Sequence, residues 1–287
     1  MELEDIIIKY PRTPHIQGSR LQSGDEDLRQ RPFSDIAGRH VVLEEKIDGA
    51  NSAISFTDDG ELRLQSRGHF LTGGYRERHY DLMKQWGAVQ KDKLYEVLGQ
   101  RYIMYGEWMY AKHSIYYDAL PHYFMEFDVL DRETGMFLDT PSRHELLKNI
   151  PICHVPVLAS GVFNNINEIL KYLGDSNYIT EAHIEHLRED AERLGLDVDR
   201  VCRETDSSRA MEGIYIKVEE NGEVVDRMKY VRASFLQTVC QDCGEKLVEL
   251  CFSSPSWTWK ALCGRGGHMT ICPNCPQQVD FELEIMN

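Results

Sequence analysis

The sequence predicts an α+β fold built around a largely antiparallel sheet. Strand-like segments occur between residues 41 and 67, helical patterns follow, and strand-like segments return between 211 and 231. Two strong turn signals join pairs of predicted strands into hairpins, Asp58-Asp59-Gly60 and Asn221-Gly222. This arrangement of neighbouring hairpins favours antiparallel pairing over alternating strand–helix units.

The first half of the chain supplies most of the predicted strands. VVLEEKI begins at residue 41, NSAISFT follows at 51, and ELRLQSR alternates Leu62 and Leu64 with polar residues. Residues 80–98 are predicted to be helical, in two pieces broken at Gly87. Two aromatic-rich segments follow as further predicted strands, RYIMYGEWMY from 101 and HYFMEFDVLD from 122.

The second half contains three predicted helices before the final hairpin. Ser142 is expected to cap a short helix that ends at Leu147. The segment 164–173 places its apolar residues on one face, with Gly174 as the expected stop, and helical spacing resumes after Thr180. MEGIYIKV and EVVDRMKYV then form the predicted hairpin, whereas residues 11–39 have weak periodicity and are expected to form an irregular arm.

Composition restricts the class of protein. Hydrophobic residues make up 42% and charged residues 28% of the 287 residues, as in soluble globular proteins. The sequence lacks a run of 18 apolar residues and a basic, apolar N-terminal signal, so we expect no membrane association and a cytoplasmic location. The net charge of −15 argues against a protein that coats nucleic acid, although residues 227–276 carry six bases and only three acids.

The most informative stretch is EKIDGAN, residues 45–51. It places the amine of Lys46 at a predicted strand end beside an Asp-Gly turn. Such a lysine can act as a covalent nucleophile where neighbouring charges or desolvation lower its pKa. The same tetrapeptide also occurs as an ordinary exposed turn, so the stretch needs support from the rest of the chain.

That support comes from five further segments in a fixed order. SRG lies at 66–68, YGEWMY at 105–110, FMEFDVLD at 124–131, MEGIYIK at 211–217 and RMK at 227–229. Together with KIDG, this set resembles motifs I, Ia, III, IIIa, IV and V of the covalent nucleotidyltransferase superfamily, which contains ligases and capping enzymes. The resemblance spans about residues 41–232 and implies an antiparallel-sheet, ATP-grasp-like nucleotidyltransferase domain.

The resemblance implies a role for each matched residue. Lys46 would attack the α-phosphate of ATP and form a lysyl-AMP phosphoramide. Arg67 would contact the ribose or the attacking end, Glu107 would accept a hydrogen bond from a ribose hydroxyl, and Glu212 would bind Mg²⁺ or Mn²⁺ or steady the lysine. Phe127, with Phe124 as the alternative, would stack on the adenine. The remaining expected nucleotide-binding residues are Glu45, Lys217, Arg227 and Lys229.

Two features favour an RNA ligase within this superfamily. Asn51 stands where DNA ligases and capping enzymes usually carry arginine, and it resembles the branch of phage and RNA-editing ligases, in which this Asn assists attack by the RNA 3′-hydroxyl. Only 58 residues follow Lys229, which is short for the additional OB domain of DNA ligases and capping enzymes. A DNA ligase, a capping-type guanylyltransferase and a non-catalytic nucleic-acid binder remain the alternatives. Motif V departs from the usual Lys-x-Lys because Arg227 replaces the first lysine.

Six of the eight cysteines lie in the last 48 residues. Two CxxC pairs, Cys240/Cys243 and Cys272/Cys275, have the spacing of a zinc ribbon and could form a closed tetrahedral Zn²⁺ site. Cys251, Cys263 and His268 lie between the pairs and could replace one ligand. Aromatic and basic residues in the same segment either contact RNA or form the small core beside the metal.

These features predict two domains and one function. Residues 1–236 are expected to form the nucleotidyltransferase domain with its N-terminal arm, and residues 237–287 the zinc-ribbon-like module. The expected function is an ATP-dependent RNA ligase that joins 3′-hydroxyl and 5′-phosphate ends in RNA repair. End-healing kinase or phosphatase enzymes would be its partners.

Overall fold

A computed structural model describes residues 6–21, 25, 28–235, 248–252 and 269–271. The chain divides into two compact units. Unit 1 contains Met1–Met109, Pro121–Gly174 and Met211–Ala233, and unit 2 contains Tyr110–Leu120, Asp175–Ala210 and Ser234–Asn287. Most of the predicted zinc-ribbon module, including all four predicted zinc ligands, lies outside the described residues, so the domain boundary after residue 236 stays a prediction.

Unit 1 is built on one ten-stranded sheet, which confirms the predicted α+β class with a largely antiparallel sheet. The strand order is β3-β2-β4-β6-β7-β11-β10-β1-β9, and β8 pairs in parallel with β6 outside this path. The strands are β1 (Val41–Lys46), β2 (Ala50–Phe56), β3 (Leu62–Ser66), β4 (Tyr102–Trp108), β6 (Phe124–Asp131), β7 (Phe137–Leu138), β8 (Cys153–His154), β9 (Val157–Gly161), β10 (Gly213–Glu220) and β11 (Glu223–Val231).

The two predicted hairpins are confirmed. β2 pairs with β3 in antiparallel register from Ser52–Ser66 to Phe56–Leu62. β10 pairs with β11 across Asn221 and Gly222, whose φ angles of 55° and 88° place both residues in the left-handed region. Asn and Gly are the residues that tolerate this backbone in a two-residue hairpin turn, which is why the sequence signal is specific.

Helix α1 differs from its prediction. It runs without interruption from Asp81 to Leu98 and follows a 3₁₀ turn at Tyr75–Tyr80. Gly87, the predicted break, is buried inside it, and a Cβ there would lie 3.2 Å from a methyl carbon of Leu62. The glycine therefore allows the helix to lie close against the β2–β3 hairpin, and this packing outweighs the cost of glycine in a helix interior.

Two shorter helices differ from their predictions at their ends. Helix α2 spans Thr140–Leu147, and its cap is Asp139, whose side chain accepts a hydrogen bond from the Ser142 backbone N–H. Ser142, the predicted cap, thus lies in the first turn. Helix α3 spans only Ile166–Leu170 and ends four residues before Gly174, with Asn165 as its cap.

The two faces of the sheet near β1, β10 and β11 have opposite character. One face carries the core residues Leu43, Ile214, Ile216 and Met228, against which α3 packs. Alternation of side chains places Glu44 and Lys46 on the other face, together with residues of β10 and β11. The face opposite the core is therefore the one that carries charged groups.

The N-terminal arm is fixed to this sheet at β11. His15 forms a parallel bridge with Lys229, in which the Ile16 N–H donates to the Lys229 carbonyl and the Lys229 N–H donates to the Pro14 carbonyl. Arg20 N–H donates to the Val231 carbonyl farther along. The described part of the arm is irregular, as predicted, and an isolated backbone bridge and a further backbone hydrogen bond attach it to β11.

Unit 2 has its own small core. Helix α4 (His183–Leu194) ends at Gly195, which has a left-handed backbone, and helix α5 (Val198–Arg203) follows. Their apolar faces pack on Tyr116, whose hydroxyl donates to Asp190 over 2.6 Å. A small sheet of β5 (Ala111–Lys112), β12 (Val248–Phe252) and β13 (Met269–Ile271) also belongs to this unit.

None of the described helices combines the length and the apolar composition that crossing a bilayer requires.

Candidate active site

The side chain of Lys46 lies against a carboxylate at the end of β1. The antiparallel register pairs Lys46 with Gly213, so that Glu212, the residue before β10, reaches the lysine. Lys46 Nζ lies 2.5 Å from Glu212 Oε2. The lysine side chain is 23% exposed and the glutamate side chain 3%, so the lysine is the more accessible member of the pair.

β10 and β11 lie very close together at Gly213, the residue after Glu212. A Cβ on Gly213 would lie 1.9 Å from the Tyr230 carbonyl oxygen and cannot be accommodated. Any side chain at position 213 would push the strands apart. Strand packing therefore requires glycine at position 213, whatever the role of the neighbouring Glu212 carboxylate.

Burial and the neighbouring charges together raise the pKa values of both Lys46 and Glu212. Burial alone favours the neutral amine of Lys46, but the carboxylates of Glu212, Glu107 and Asp48 outweigh it and raise the pKa of Lys46. Burial raises the pKa of Glu212, and the positive charge of Lys46 partly offsets that rise. The lysine is therefore held as an ammonium ion in the absence of substrate and must lose a proton before it can act as a nucleophile.

A second carboxylate, Glu107 on β4, belongs to the same cluster. Its Oε1 accepts a hydrogen bond from the Gly49 N–H over 3.2 Å. Burial, together with the negative charges of Glu212 and Asp48, raises the pKa of Glu107 to about 7, against the opposing effects of Lys46 and Arg67. The glycine is again required by space, because a Cβ on Gly49 would lie 2.7 Å from Met109 Sδ.

Asn51 is brought to Glu107 by the sheet. The antiparallel pairing of β2 with β4 places Asn51 directly opposite Glu107, so their side chains lie on the same face. Arg67 follows β3 and is exposed, and its charge acts on Glu107. The structure thus groups five predicted site residues within one region, namely Lys46, Asn51, Arg67, Glu107 and Glu212.

Lys229 of β11 adds a second amine to this region. Burial lowers the pKa of Lys229, as does the positive charge of Lys46, while Asp25 of the N-terminal arm opposes the shift. Lys229 Nζ forms an ion pair with the Asp25 carboxylate. Both lysines therefore face the same site, and one of them is neutralised by an arm residue that the motifs did not reveal.

Lys217 and Arg227 occupy a different part of the charged face. Lys217 Nζ lies 2.8 Å from Glu44 and 3.1 Å from Asp128, and its side chain is 1% exposed. The Arg227 guanidinium lies 3.6 Å from Asp128 and 4.2 Å from the centre of the Phe137 ring. Both predicted phosphate-binding cations thus contact buried carboxylates and not Glu212.

The two candidate stacking residues have different surroundings. Phe124 is fully buried and stacks on Trp86 at 5.7 Å between ring centres. Phe127 is only partly buried, and its ring meets the edge of Tyr10 at 5.0 Å. Of the two, Phe127 is therefore the ring that a ligand could reach. Glu45 is buried, and strand alternation directs it to the opposite face from Lys46.

Two groups of polar residues were missed by sequence reasoning. One is the buried network in which Arg143 lies 2.6 Å from Glu44 and 3.6 Å from Glu126. The other is the arm cluster of Arg12, His15 and Asp25 beside Lys229. Only the concentration of Arg, His and Asp in an otherwise irregular segment could have indicated the second group.

The predicted ligands of Zn²⁺ lie outside the described residues, whereas the predicted ligand of Mg²⁺ lies within them. Cys240, Cys243, Cys272 and Cys275 lie outside the described residues. Among the residues that are described, no group of three or more His, Cys, Asp or Glu side chains is arranged to hold a metal ion. Mg²⁺ is usually bound by one or two carboxylates together with substrate phosphates, and the carboxylates of Glu212 and Glu107 beside Lys46 fit that donor set.

The elevated pKa of Glu107 predicts a pH-dependent cost in stability. The Glu107 carboxyl has a pKa of about 7 in the folded protein, above its value in the unfolded chain. At pH values between these two pKa values the folded state binds more protons than the unfolded state, so the free energy of unfolding falls as the pH rises through this range. We expect Glu107→Gln to raise the melting temperature of the ligand-free protein at pH 8 and to have little effect at pH 4. Thermal unfolding across this range measures the difference.

The exposed Glu61, which pairs with Lys91 on the surface, provides the matched control Glu61→Gln. This control should change the melting temperature equally little at both pH values. An equal effect of Glu107→Gln at pH 4 and pH 8 would contradict a raised pKa for the Glu107 carboxyl.

Comparison with known proteins agrees with the geometry. The RNA ligase family model matches residues 39–231, and no curated protein matches. Two structures of Naegleria gruberi RNA ligase variants, one with ATP and Mn and one apo, superpose with TM-scores of 0.50 at 18% and 16% identity. These matches cover 79% and 80% of this chain but 57% of each Naegleria chain, so the chain spans little more than half the length of that ligase. They show the fold, and the family model, which covers more than half of the sequence, shows that the chain belongs to the RNA ligase family.

Proposed function

We propose that this protein is an ATP-dependent RNA ligase that works through a lysyl-AMP intermediate. The observation that carries the proposal is the contact of the Lys46 amine with the Glu212 carboxylate, close enough to the Lys229 amine for the two charges to interact, in a chain of the RNA ligase family. The Naegleria structure with ATP and Mn supports a nucleotide and a divalent cation as ligands.

The proposed reaction has three steps. The Lys46 amine attacks the α-phosphate of ATP, forms a P–N bond and releases pyrophosphate. The AMP group then passes to an RNA 5′-phosphate, which forms a pyrophosphate linkage and frees Lys46. Finally the RNA 3′-hydroxyl attacks the activated 5′-phosphate, which forms the phosphodiester and expels AMP.

The residues around Lys46 provide the means for the first step. Glu212 is in direct contact with the ammonium group and is the nearest acceptor for the proton that the amine must lose. Lys229 supplies positive charge where negative charge develops on the phosphate. Mg²⁺, when bound with the triphosphate, would neutralise phosphate charge, and Glu212 and Glu107 are the carboxylates that could hold it.

The remaining residue roles belong to the same proposal. Phe127 stacks on the adenine, Glu107 accepts a hydrogen bond from the ribose, and Arg67 contacts the ribose or the attacking end. Arg227 and Lys217, whose cations contact Asp128 in the ligand-free protein, would hold phosphate oxygens of the nucleotide. RNA repair is the proposed setting, with kinase or phosphatase enzymes that produce the ends to be joined.

Replacement of the proposed nucleophile tests the first step. Lys46→Ala should abolish the transfer of radiolabel from α-labelled ATP to the protein, because Lys46 is the proposed nucleophile and the other amine at the site, Lys229, is engaged by Asp25. Denaturing electrophoresis after incubation with labelled ATP, GTP or NAD measures this transfer and identifies the nucleotide. Lys9→Ala, at an exposed position of the arm, is the control and should label normally.

Joining of chemically pre-adenylylated RNA should survive in Lys46→Ala, because that substrate bypasses the first step. Labelling of Lys46→Ala by ATP would show that the nucleophile is assigned wrongly. Labelling of the unaltered protein by GTP alone would indicate a capping-type enzyme.

Asn51 distinguishes an RNA ligase from its alternatives. Asn51→Ala should still form lysyl-AMP, whereas joining of RNA ends should fall by about tenfold or more if this side chain serves the RNA 3′-hydroxyl, as loss of one positioned polar contact in a transition state does. Paired assays of self-labelling and of sealing on nicked-duplex and single-stranded RNA measure the two effects. Equal losses in both assays would make Asn51 a structural residue of β2.

We also propose that Cys240, Cys243, Cys272 and Cys275 bind one structural Zn²⁺, an idea supported by their CxxC spacing alone. Elemental analysis of the purified protein should find about one zinc per chain, and Cys272→Ser should lower that content, because thiolate ligation and folding of a small module are coupled. Cys153→Ser is the matched control, since Cys153 lies in unit 1 on β8. Zinc retained in full by Cys272→Ser would exclude this ligand set.

A further inference from the structure

The N-terminal arm places three positively charged or hydrogen-bond-donating groups around one carboxylate at the edge of the site. Asp25 forms an ion pair with Lys229 Nζ, its Oδ2 lies 3.1 Å from His15 Nε2, and its Oδ1 lies 3.4 Å from Arg12 Nη2. Partial burial would raise the pKa of Asp25, but the contacts with His15 and Lys229 outweigh it and hold that pKa well below its usual range. The surroundings of this carboxylate are therefore those of an anion-binding site.

The arm builds this site with defined donors. Ser19 Oγ accepts a hydrogen bond from the Val231 N–H and lies 2.6 Å from His15 Nδ1. The Ser19 hydroxyl hydrogen is therefore available to His15 Nδ1, which leaves the Nε2–H of a fully buried imidazole to point at the Asp25 carboxylate. The backbone bridge between His15 and Lys229 fixes the relative positions of these two side chains.

The chemistry of the proposed reaction requires a second anion site next to Lys46. The α-phosphate must face the attacking amine, and the leaving oxygen must lie roughly in line on the far side of the phosphorus. The other two phosphates of ATP therefore need cations other than Lys46. Lys229 lies close enough to Lys46 for the two charges to interact, and it also contacts Asp25, so it connects the two regions.

We propose that Arg12, His15 and Lys229 form the binding site for the pyrophosphate portion of ATP, and that Asp25 occupies this site as an internal anion when no nucleotide is bound. This inference rests on the proposed function, because it assigns a role to phosphates that leave in the first step. Binding of the triphosphate displaces the Asp25 carboxylate from the three donors. Release of pyrophosphate after transfer of AMP to Lys46 allows the carboxylate to return and opposes the reverse reaction.

This competition has a measurable consequence. A ligand that must displace an internal group binds with an affinity reduced by the fraction of molecules in which the site is open. If the carboxylate fills the site about nine-tenths of the time, its removal should tighten binding about tenfold. AMP lacks the two outer phosphates, and its affinity should therefore be unaffected.

The test compares binding of inorganic pyrophosphate and of AMP, each with Mg²⁺, by isothermal titration calorimetry on the full chain. Asp25→Asn should tighten pyrophosphate binding about tenfold and leave AMP binding within about twofold. Arg12→Ala should weaken pyrophosphate binding and spare AMP binding, whereas the charge-matched control Lys9→Ala should change neither. Arg12 is 45% exposed, so its removal leaves the core intact.

Unchanged or weaker pyrophosphate binding by Asp25→Asn would overturn the inference and make Asp25 a residue that merely positions Lys229. Asp25→Ser provides a second variant, and circular dichroism shows whether either variant is folded. Equal losses of pyrophosphate and AMP binding in Arg12→Ala would also overturn it. Self-labelling of the unaltered protein by ATP is measured separately, so failure of the proposed function and failure of this site give different results.

Discussion

The contact between the Lys46 amine and the Glu212 carboxylate is the interaction on which the arrangement of the site depends. Burial of an unpaired ammonium ion or an unpaired carboxylate would cost several kcal/mol of desolvation free energy, about the same for each. The attraction between Lys46 and Glu212 offsets this cost for both groups. The β1–β10 register brings the pair together, and Gly213 allows β11 to approach closely enough to add Lys229. The same contact keeps Lys46 protonated, so the proposed transfer of AMP to this lysine would have to break it.

The charged face of the sheet extends this principle beyond Lys46. Lys217 contacts Glu44 and Asp128, and Arg143 contacts Glu44 and Glu126, so each of these buried charges touches an opposite one. Removal of one of these side chains would leave its partners as unpaired buried charges. That would destabilise the fold by far more than the net stabilisation that any single ion pair contributes. This electrostatic framework fixes cations and carboxylates beside the aromatic cluster of Tyr10, Phe127, Phe137 and Tyr215, and the Tyr10 hydroxyl donates a hydrogen bond to Asp128.

Local signals in the sequence were sufficient for most strands and for the Lys46 motif, because period-two alternation and an Asn-Gly turn act over few residues. They failed where tertiary contacts decided the outcome. Gly87 continues a helix because it packs on Leu62, and Asp139 displaces Ser142 as a cap. Ordered motifs pointed to Lys46, Glu107 and Glu212 as a group. The contribution of the arm could not be predicted, since nothing in its sequence indicates pairing with a strand some 200 residues later.

The pairing of β1 with β10 also determines when the site can exist during synthesis. Val41–Lys46 and Gly213–Val218 are neighbours in the sheet but are separated by more than 160 residues of chain. Contacts of such long range require a large loop to close before any stabilisation is gained, and they slow folding. A nascent chain therefore cannot complete the proposed site around Lys46 until β10 and β11 have been synthesised. Until then the edge of β1 that pairs with β10 is open, and unpaired strand edges make partly folded chains prone to aggregation.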